Sequence, residues 1–293
     1  MNLVVEELYK EYRYLFRKSK EVLKGVNFQI EEGQVYALIG QNGAGKTTTI
    51  KCILKYIRMD KGNIKFGIDK IEYLMGQNKV GYLPENLSFP GVISLREFLS
   101  DLCLLRGMNK NLAEDRINRL VYEFNLEQVL DKSIDKFSKG MKKKVGFIQA
   151  IINEPKIIIL DEPTDGLDPI SRRKVLYNIR QIANKGNIVL ITSHILSDLS
   201  IISDKVGLIN DGKIISQIKP KEYFHKEVPK ISFEIHRGYS IENKTLDLEK
   251  SSQIVIDNID KCIIKEVLID RFDLEQWYYD ELLQRGIENV ESI

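Results

Sequence analysis

Residues 35–47 read VYALIGQNGAGKT, so that an apolar run ends directly in a glycine-rich loop. The residues from Lys46 onward, KTTTIKCIL, contain no helix breaker. This order predicts a buried strand, then a loop, then a helix. The loop, residues 40–47, fits the pattern G-x-x-x-x-G-K-[ST] at every position.

The loop predicts a phosphate-binding site. Glycines let backbone N–H groups turn inward around phosphate oxygens, a lysine neutralises the charge of the β- and γ-phosphates, and a hydroxyl serves Mg²⁺. The residues expected to contact a nucleotide are Gly40, Asn42, Gly43, Ala44, Gly45, Lys46, Thr47 and Thr48. Taken alone, such a loop fits kinases, GTPases and many motors.

The composition is that of an ordinary globular chain. Of the 293 residues, 43% are hydrophobic and 29% are charged, which does not indicate disorder. The 44 basic and 42 acidic residues leave a net charge of +2. This small charge creates no broad positive field, so charge alone neither indicates nor excludes a nucleic-acid partner.

The cysteine spacing and the length of the apolar segments bear on metal sites, secretion and membrane spans. The three cysteines, Cys52, Cys103 and Cys262, form no Cys-x-x-Cys pair, so we expect reduced, buried thiols. The N-terminal residues meet charges before any apolar stretch long enough for a signal peptide. The longest uncharged apolar segments, 157–160 and 188–196, are shorter than the roughly 18 residues that a spanning helix needs. We therefore predict neither secretion nor a membrane span.

The remaining pattern predicts an α/β core with two additions. Residues 157–160 and 188–192 are apolar without alternation, which suits strands covered on both faces of a parallel sheet. Residues 26–30 are predicted to form an antiparallel strand. Residues from about 92 to 140 carry Leu, Glu, Arg and Lys at helical spacing, which predicts an inserted helical subdomain.

The character of the sequence changes again after Gly212. Strands are predicted at residues 231–235, 253–257 and 262–267. A helix then follows and ends at Gly286; the apolar residues on one of its faces are Leu274, Trp277, Tyr278 and Leu282. We predict a small separate C-terminal domain from about residue 220.

Several motifs downstream of the loop occur in a specific order. Phe137-Ser-Lys-Gly-Met precedes the run ILDEPTDGLDP at residues 159–169, and ITSH follows at residues 191–194. This order resembles the ABC ATPases, with their signature, Walker B motif, D-loop and switch histidine. The resemblance implies a P-loop NTPase with a RecA-like core, an antiparallel β subdomain and the helical insertion in residues 1–217. An α+β accessory domain would occupy residues 220–293.

The resemblance implies roles for individual residues in binding and hydrolysing ATP. Asp161 would hold Mg²⁺ opposite Thr47, and Glu162 would be the general base that polarises the attacking water. His194 would contact the γ-phosphate and the base. Tyr12 looks like the aromatic residue that stacks on adenine, although a plain packing role fits it equally.

Other residues are expected to act across a dimer. Ser138 and Gly140 resemble the signature residues that contact ATP bound to the other subunit, and Asp168 would be the D-loop residue at that interface. We expect Lys142, Lys143 and Lys144 to form a solvated basic face, with support for phosphates as the second interpretation.

Two departures from the family pattern are visible. Glu85 occupies the position of the usual Q-loop glutamine, and Lys139 and Met141 replace the common glycine and glutamine of the signature. Both departures look similar to bacterial cassettes that serve exporters of drugs, peptides and antibiotics.

The resemblance implies an ATP-binding subunit of an ABC transporter, at the cytoplasmic face of the cell membrane. Its partners would be permease subunits on a separate chain and a second cassette, identical or different, with no nucleic acid expected. An importer subunit remains an alternative. A chromosome-maintenance or DNA-repair ATPase also shares these motifs, but coiled-coil heptads and zinc-binding cysteines are absent from the sequence. Ribosome-associated relatives carry two cassettes, whereas this sequence has one.

Overall fold

The computed structural model describes residues 2–14, 17–67, 71–76, 78–220, 222, 230–237, 240–247, 262–266 and 273–287. The strands are β1 (Leu3–Tyr14), β2 (Arg17–Ile30), β3 (Val35–Ile39), β4 (Lys61–Phe66), β5 (Val80–Leu83), β6 (Ile157–Asp161), β7 (Ile188–Thr192), β8 (Lys205–Asn210), β9 (Lys213–Ile218), β10 (Lys230–Arg237), β11 (Ser240–Asp247) and β12 (Cys262–Glu266). The helices are α1 (Lys46–Ile53), α2 (Ile71–Gly76), α3 (Leu95–Leu105), α4 (Lys110–Glu123), α5 (Lys139–Ile151), α6 (Pro169–Asn184), α7 (Leu196–Ile202) and α8 (Leu274–Gln284).

A six-stranded sheet forms the centre of the molecule, in the order β5-β6-β7-β3-β8-β9. The strands β5, β6, β7, β3 and β8 are parallel, and β9 is antiparallel to β8. Because the strands are parallel, the loops after β3, β5, β6 and β7 emerge at one edge of the sheet. The residues of the phosphate loop, Glu85, the Asp161–Glu162 pair and His194 follow or end these four strands, so the topology brings them together.

The central strands are covered on both faces, as their unalternating apolar sequences predict. One face of the strands joins a core with β1, β2, β4 and α1, where Phe28 and Tyr36 stack at 4.8 Å between ring centroids. The other face, with Ile158, Leu160 and Val189, packs against the helices α3 to α7. A three-stranded antiparallel sheet, β2-β1-β4, lies on the first side and contains the predicted strand at residues 26–30.

Helices α3 and α4 lie within the stretch for which the sequence predicts a helical insertion, and its standing as a separate subdomain stays a prediction. Helix α3 starts with a capping box, in which the Ser94 hydroxyl accepts from the Glu97 backbone N–H and the Glu97 carboxylate accepts from the Ser94 N–H. Helix α4 and two short 3₁₀ turns lead from there to α5. None of the helices that the structure describes combines the length and the apolar character of a membrane span.

The C-terminal part contains a second antiparallel sheet, in the order β11-β10-β12. Strands β10 and β12 match the predictions at residues 231–235 and 262–267, whereas the polar strand β11 was missed by the sequence pattern. The strand predicted at residues 253–257 lies outside the described residues.

Helix α8 matches its prediction, but it packs against α7. The buried side chains of Leu274, Trp277, Tyr278 and Leu282 join the same core as the central sheet. This helix therefore packs with the helices that cover the central sheet, while the domain boundary at residue 220 stays a prediction.

Candidate functional site

A cavity of about 600 Å³ opens at the edge of the sheet where the loops emerge. Its lining residues are Tyr12, Lys20, Val22, Gly40, Gln41, Asn42, Gly43, Gly45, Lys46, Thr47, Thr48, Glu85, Asp161, Glu162, Asp165 and His194. Most of the predicted site residues thus meet in one cavity. The sequence reasoning missed Lys20, Val22, Gln41 and Asp165, of which Gln41 and Asp165 lie inside the quoted motifs.

The glycine-rich loop is tightly seated between β3 and α1. At Gly40, whose φ is 156°, an added Cβ would fall 2.1 Å from the backbone oxygen of Ile209. At Gly45, with a φ of 118°, an added Cβ would fall 2.8 Å from a side-chain carbon of Leu23. A larger residue at either position would displace the loop, so the backbone path needs glycine. Ala44, which belongs to the same loop, is buried and does not line the cavity.

Lys46 folds back over the loop that precedes it. Its Nζ donates to the backbone oxygens of Gly40 at 2.5 Å and of Gln41 at 3.2 Å. Burial lowers the pKa of Lys46, and the negative charges of Glu162, Asp161 and Glu85 act against that shift. The Lys46 side chain thus lies over the glycine-rich loop and lines the cavity, and its contact with phosphates stays a prediction.

Asp161 ends β6 as a buried carboxylate, 2% exposed, between two hydroxyl groups. The Thr47 hydroxyl donates to its Oδ2 at 3.2 Å, and the Thr192 hydroxyl donates to its Oδ1 at 2.5 Å. Thr192 lies at the end of the neighbouring strand β7, opposite Asp161. These bonds fix the carboxylate beside the helix that carries Thr47.

Glu162 and His194 form the second polar pair of the site. Glu162 has a φ of 51°, in the left-handed region, and its backbone N–H donates to the Thr192 carbonyl at 3.1 Å. Its Oε2 lies 2.7 Å from the Nδ1 of His194 and accepts from the His194 backbone N–H at 3.2 Å. The Glu162 side chain is 12% exposed and that of His194 is 43% exposed. The two residues therefore face the cavity as one hydrogen-bonded unit.

Tyr12 lines the cavity, together with Lys20 and Val22. Its ring is half-buried, and the Lys10 ammonium lies 5.7 Å from the ring centroid. The position suits an aromatic residue that stacks on a base, and that role stays a prediction.

Lys143 corrects the prediction of a solvated basic face at residues 142–144. Its side chain is only 2% exposed, and its Nζ donates to the backbone oxygen of Glu85 at 3.1 Å. Lys142 and Lys144 remain half-buried at the surface. The expectation was wrong for Lys143 because the packing of α5 turns this position inward.

The residues predicted to act across a dimer lie outside the cavity. The Ser138 hydroxyl caps α5 by accepting from the Met141 N–H at 3.2 Å, and the exposed Asp168 caps α6 by accepting from the Ser171 N–H at 2.9 Å. At Gly140, an added Cβ would meet the Gly166 oxygen at 3.0 Å. Their contacts with a second subunit stay predictions.

Lys139, in the signature motif, pairs with a residue of the D-loop. Its Nζ lies 2.8 Å from the Asp165 carboxylate, and this hydrogen bond lowers the pKa of Asp165. The pair links two motifs within one chain.

Together, the parallel sheet, the glycine-rich loop and the paired acidic residues define a P-loop nucleoside triphosphatase. The family model for ABC transporters matches residues 23–165. The chain belongs to the ABC transporter family, as an ATP-binding subunit with the ATPase activity of that family.

Individual relatives agree with this assignment. A putative ABC transporter ATP-binding protein from Mycoplasma pneumoniae is 37% identical, over 74% of this chain and 67% of its own length. The bacitracin transport ATP-binding protein BcrA from Bacillus licheniformis is 35% identical, over 68% of this chain and 65% of its own length.

Solved structures support the fold. An ATP-binding subunit of an ABC transporter matches with a TM-score of 0.69 and 30% identity, over 77% of this chain and 94% of that chain. The dimeric bacterial cassette MJ0796 matches with a TM-score of 0.68, over 74% of this chain and 98% of that chain. Its identity is 19%, so this likeness shows the fold alone.

Proposed function

We propose that this chain hydrolyses ATP to drive the export of a peptide, antibiotic or drug through membrane subunits on separate chains. It would work at the cytoplasmic face of the cell membrane, in a dimer of cassettes. The observation that carries the proposal is the Glu162–His194 pair, whose 2.7 Å contact lies in the same cavity as the phosphate loop.

The direction of transport is supported by the relatives. BcrA is described as a bacitracin transport protein, and LnrL from Bacillus subtilis, 32% identical over 68% of this chain, as a linearmycin resistance protein. Resistance to an antibiotic is consistent with its removal from the cell. The departures at Glu85, Lys139 and Met141 support the same branch.

The phosphate groups of ATP would be held by this chain in a fixed position. Backbone N–H groups of the loop would surround the phosphate oxygens, and the Lys46 ammonium would move from the loop carbonyls to the β- and γ-phosphates. Tyr12, which lines the same cavity, would contact the adenine.

Mg²⁺ fits the donor set beside the phosphate loop. The Thr47 hydroxyl and the Asp161 carboxylate are oxygen donors, which this cation prefers, and they lie 3.2 Å apart. When bound, Mg²⁺ would neutralise charge on the phosphate oxygens. Thr192 would keep the Asp161 carboxylate in place through its 2.5 Å hydrogen bond.

Glu162 would orient the attacking water and accept its proton. His194 holds one oxygen of this carboxylate through both its ring nitrogen and its backbone N–H. Because that oxygen is fixed, the direction of the carboxylate toward the phosphate is fixed as well. A positioned base of this kind contributes about 10²- to 10⁴-fold to a rate.

The second cassette would complete the site. The Ser138 and Gly140 backbone and the exposed Asp168 lie outside the cavity of their own subunit, so a partner's nucleotide would meet them. When the dimer closes around ATP, the γ-phosphate would accept charge-assisted hydrogen bonds from both subunits. Hydrolysis of ATP would let the dimer open again.

The proposal is tested in the native membrane. A tagged full chain is expected to co-purify with permease subunits, to hydrolyse ATP without stimulation by double-stranded DNA, and to lower cellular accumulation of peptide antibiotics. The Glu162→Gln variant should co-purify equally but give no protection.

Other outcomes would point elsewhere. Stimulation by DNA and absence from membranes would favour a DNA-repair ATPase. Greater uptake of a solute by cells with the active chain, compared with the Glu162→Gln variant, would favour an importer. Failure of the purified complex to hydrolyse ATP would remove the hydrolytic part of the proposal.

A further inference from the structure

Lys143 is a buried cation next to the proposed hydrolysis site. Its side chain is 2% exposed, although an ammonium group loses strong hydration when it is buried. Such a charge is retained in a protein interior when it is paired and hydrogen-bonded. The burial of the Lys143 ammonium therefore needs a physical explanation, namely the partners that compensate for its lost hydration.

The hydrogen bond of Lys143 joins two segments that are far apart in sequence. Its Nζ donates to the backbone oxygen of Glu85, 58 residues away, at 3.1 Å. Glu85 follows β5 and lines the cavity. The bond thus connects helix α5, which begins directly after Ser138, to the cavity wall formed by Glu85.

The negative charges of the site act on Lys143 as well. Burial lowers the pKa of Lys143, and the carboxylates of Asp165, Glu162 and Asp161 act against that shift. The ammonium is thus attracted to Glu162, which would orient the water, and to Asp161, which would hold the metal ion, as well as to Asp165. Its charge in turn moderates their mutual repulsion.

The packing around Lys143 leaves little freedom between α5 and the segment that contains Glu85. At Gly146, one turn further along α5, an added Cβ would lie 2.8 Å from the side chain of Leu87. At Gly81 in β5, an added Cβ would lie 2.0 Å from the Ala150 backbone oxygen. Lys143, Gly146 and Ala150 lie on one face of the helix, because residues three and four apart are neighbours on its surface. The helix therefore lies directly on β5 and on the residues after it.

We propose that Lys143 is a positioning residue for ATP hydrolysis. Its ammonium holds the Glu85 backbone at the wall of the cavity and supplies a fixed positive charge behind Glu162 and Asp161. This inference goes beyond the proposed function, although it rests on the hydrolytic roles proposed for those two carboxylates.

The variant Lys143→Met tests the proposal. Methionine fills a similar volume without charge or an N–H donor, and it leaves the Glu85 backbone oxygen without this donor. We expect kcat for ATP to fall about tenfold or more, as for other residues that orient a catalytic group. The KM for MgATP should change by less than about threefold, because the phosphate loop is untouched.

The normalisation of kcat and two further variants separate positioning from a structural role. Active sites are titrated with the fluorescent analogue TNP-ATP, and kcat is expressed per binding site, so that loss of folded protein does not lower it. Lys142→Met, the neighbouring half-buried lysine of the same helix, is the matched control and should retain wild-type kcat. Lys143→Arg, which keeps the charge and the donors, should recover most of the lost kcat.

The results that overturn the proposal are distinct from those that overturn the proposed function. If wild type and Lys142→Met hydrolyse ATP and Lys143→Met has the same kcat per site, the positioning role is wrong. If the Met variant does not fold, Lys143→Gln is measured in the same way. A chain in which no uncharged replacement folds has a purely structural lysine, which also overturns the proposal. A wild-type chain without ATPase activity would instead contradict the hydrolytic function itself.

Discussion

Replacing Glu162 with glutamine would exchange one carboxylate oxygen for an amide group and remove a negative charge from the cavity. The remaining amide oxygen can still accept the two hydrogen bonds from His194, which measure 2.7 and 3.2 Å in the wild-type chain. The left-handed backbone at φ 51° disfavours glutamate and glutamine alike. We therefore expect the free energy of unfolding to change by less than about 1 kcal/mol.

The effect on catalysis should be much larger. A glutamine cannot accept the proton of the attacking water, so the contribution of a general base, about 10²- to 10⁴-fold, is lost. This corresponds to about 3 to 5 kcal/mol in the activation free energy. Because Lys46 and the loop are unchanged, affinity for ATP should be kept or should rise, since one negative charge near the phosphates is gone.

The assay combines phosphate release with nucleotide binding and size-exclusion chromatography. The Glu162→Gln chain should release phosphate at least about 100-fold more slowly, bind TNP-ATP normally and accumulate as a dimer when it is given ATP. Glu127→Gln, an exposed glutamate of the helical insertion, serves as the matched control. Wild-type phosphate release by the Glu162→Gln chain would refute the assignment of this residue as the base.

Three further predictions concern stability and reactivity. Leu282→Ala should lower the free energy of unfolding by about 2 to 5 kcal/mol, because Leu282 is 0% exposed in the core. The neighbouring Leu283→Ala, at a side chain that is 61% exposed, should change it little; equal urea midpoints for the two variants would contradict the docking of α8. Burial raises the pKa of Cys52 to about 11, so thiolate is scarce at pH 8 and peptide mapping should find this residue unlabelled by iodoacetamide until the chain is unfolded. The hydrogen bond from Ser171 lowers the pKa of Asp168. The ionised Asp168 carboxylate therefore stabilises the fold above the ordinary aspartate pKa, and this stabilisation is lost as the pH falls through the lowered value. The stability difference between wild type and Asp168→Ala should accordingly close below about pH 4, and a difference that widens there would show the opposite linkage.

Several features could be predicted from local sequence because their cause is local. The glycines at positions 40 and 45 follow from a backbone path that no side chain tolerates. Helix α8 could also be predicted locally, because its apolar residues recur at helical spacing within one continuous stretch of sequence. The parallel sheet could also be predicted, since strands covered on both faces need unbroken apolar runs.

Other features depended on which strands become neighbours. Thr192 holds Asp161 only because β6 and β7 are adjacent, with these two residues opposite each other. No spacing in the sequence indicates this pair. Likewise, the contact of Lys139 with Asp165 requires the first turn of α5 to lie beside the loop after β6.

The sequence by itself determined the class of fold, the phosphate loop and the identity of the acidic pair, because each is written in contiguous residues whose chemistry is unambiguous. Only the tertiary structure decided that Lys143, among three successive lysines, is buried behind the site. A lysine is stable in either environment depending on its neighbours in space. Those neighbours, Glu85 and the carboxylates of the site, are brought to it by the packing of α5 on β5.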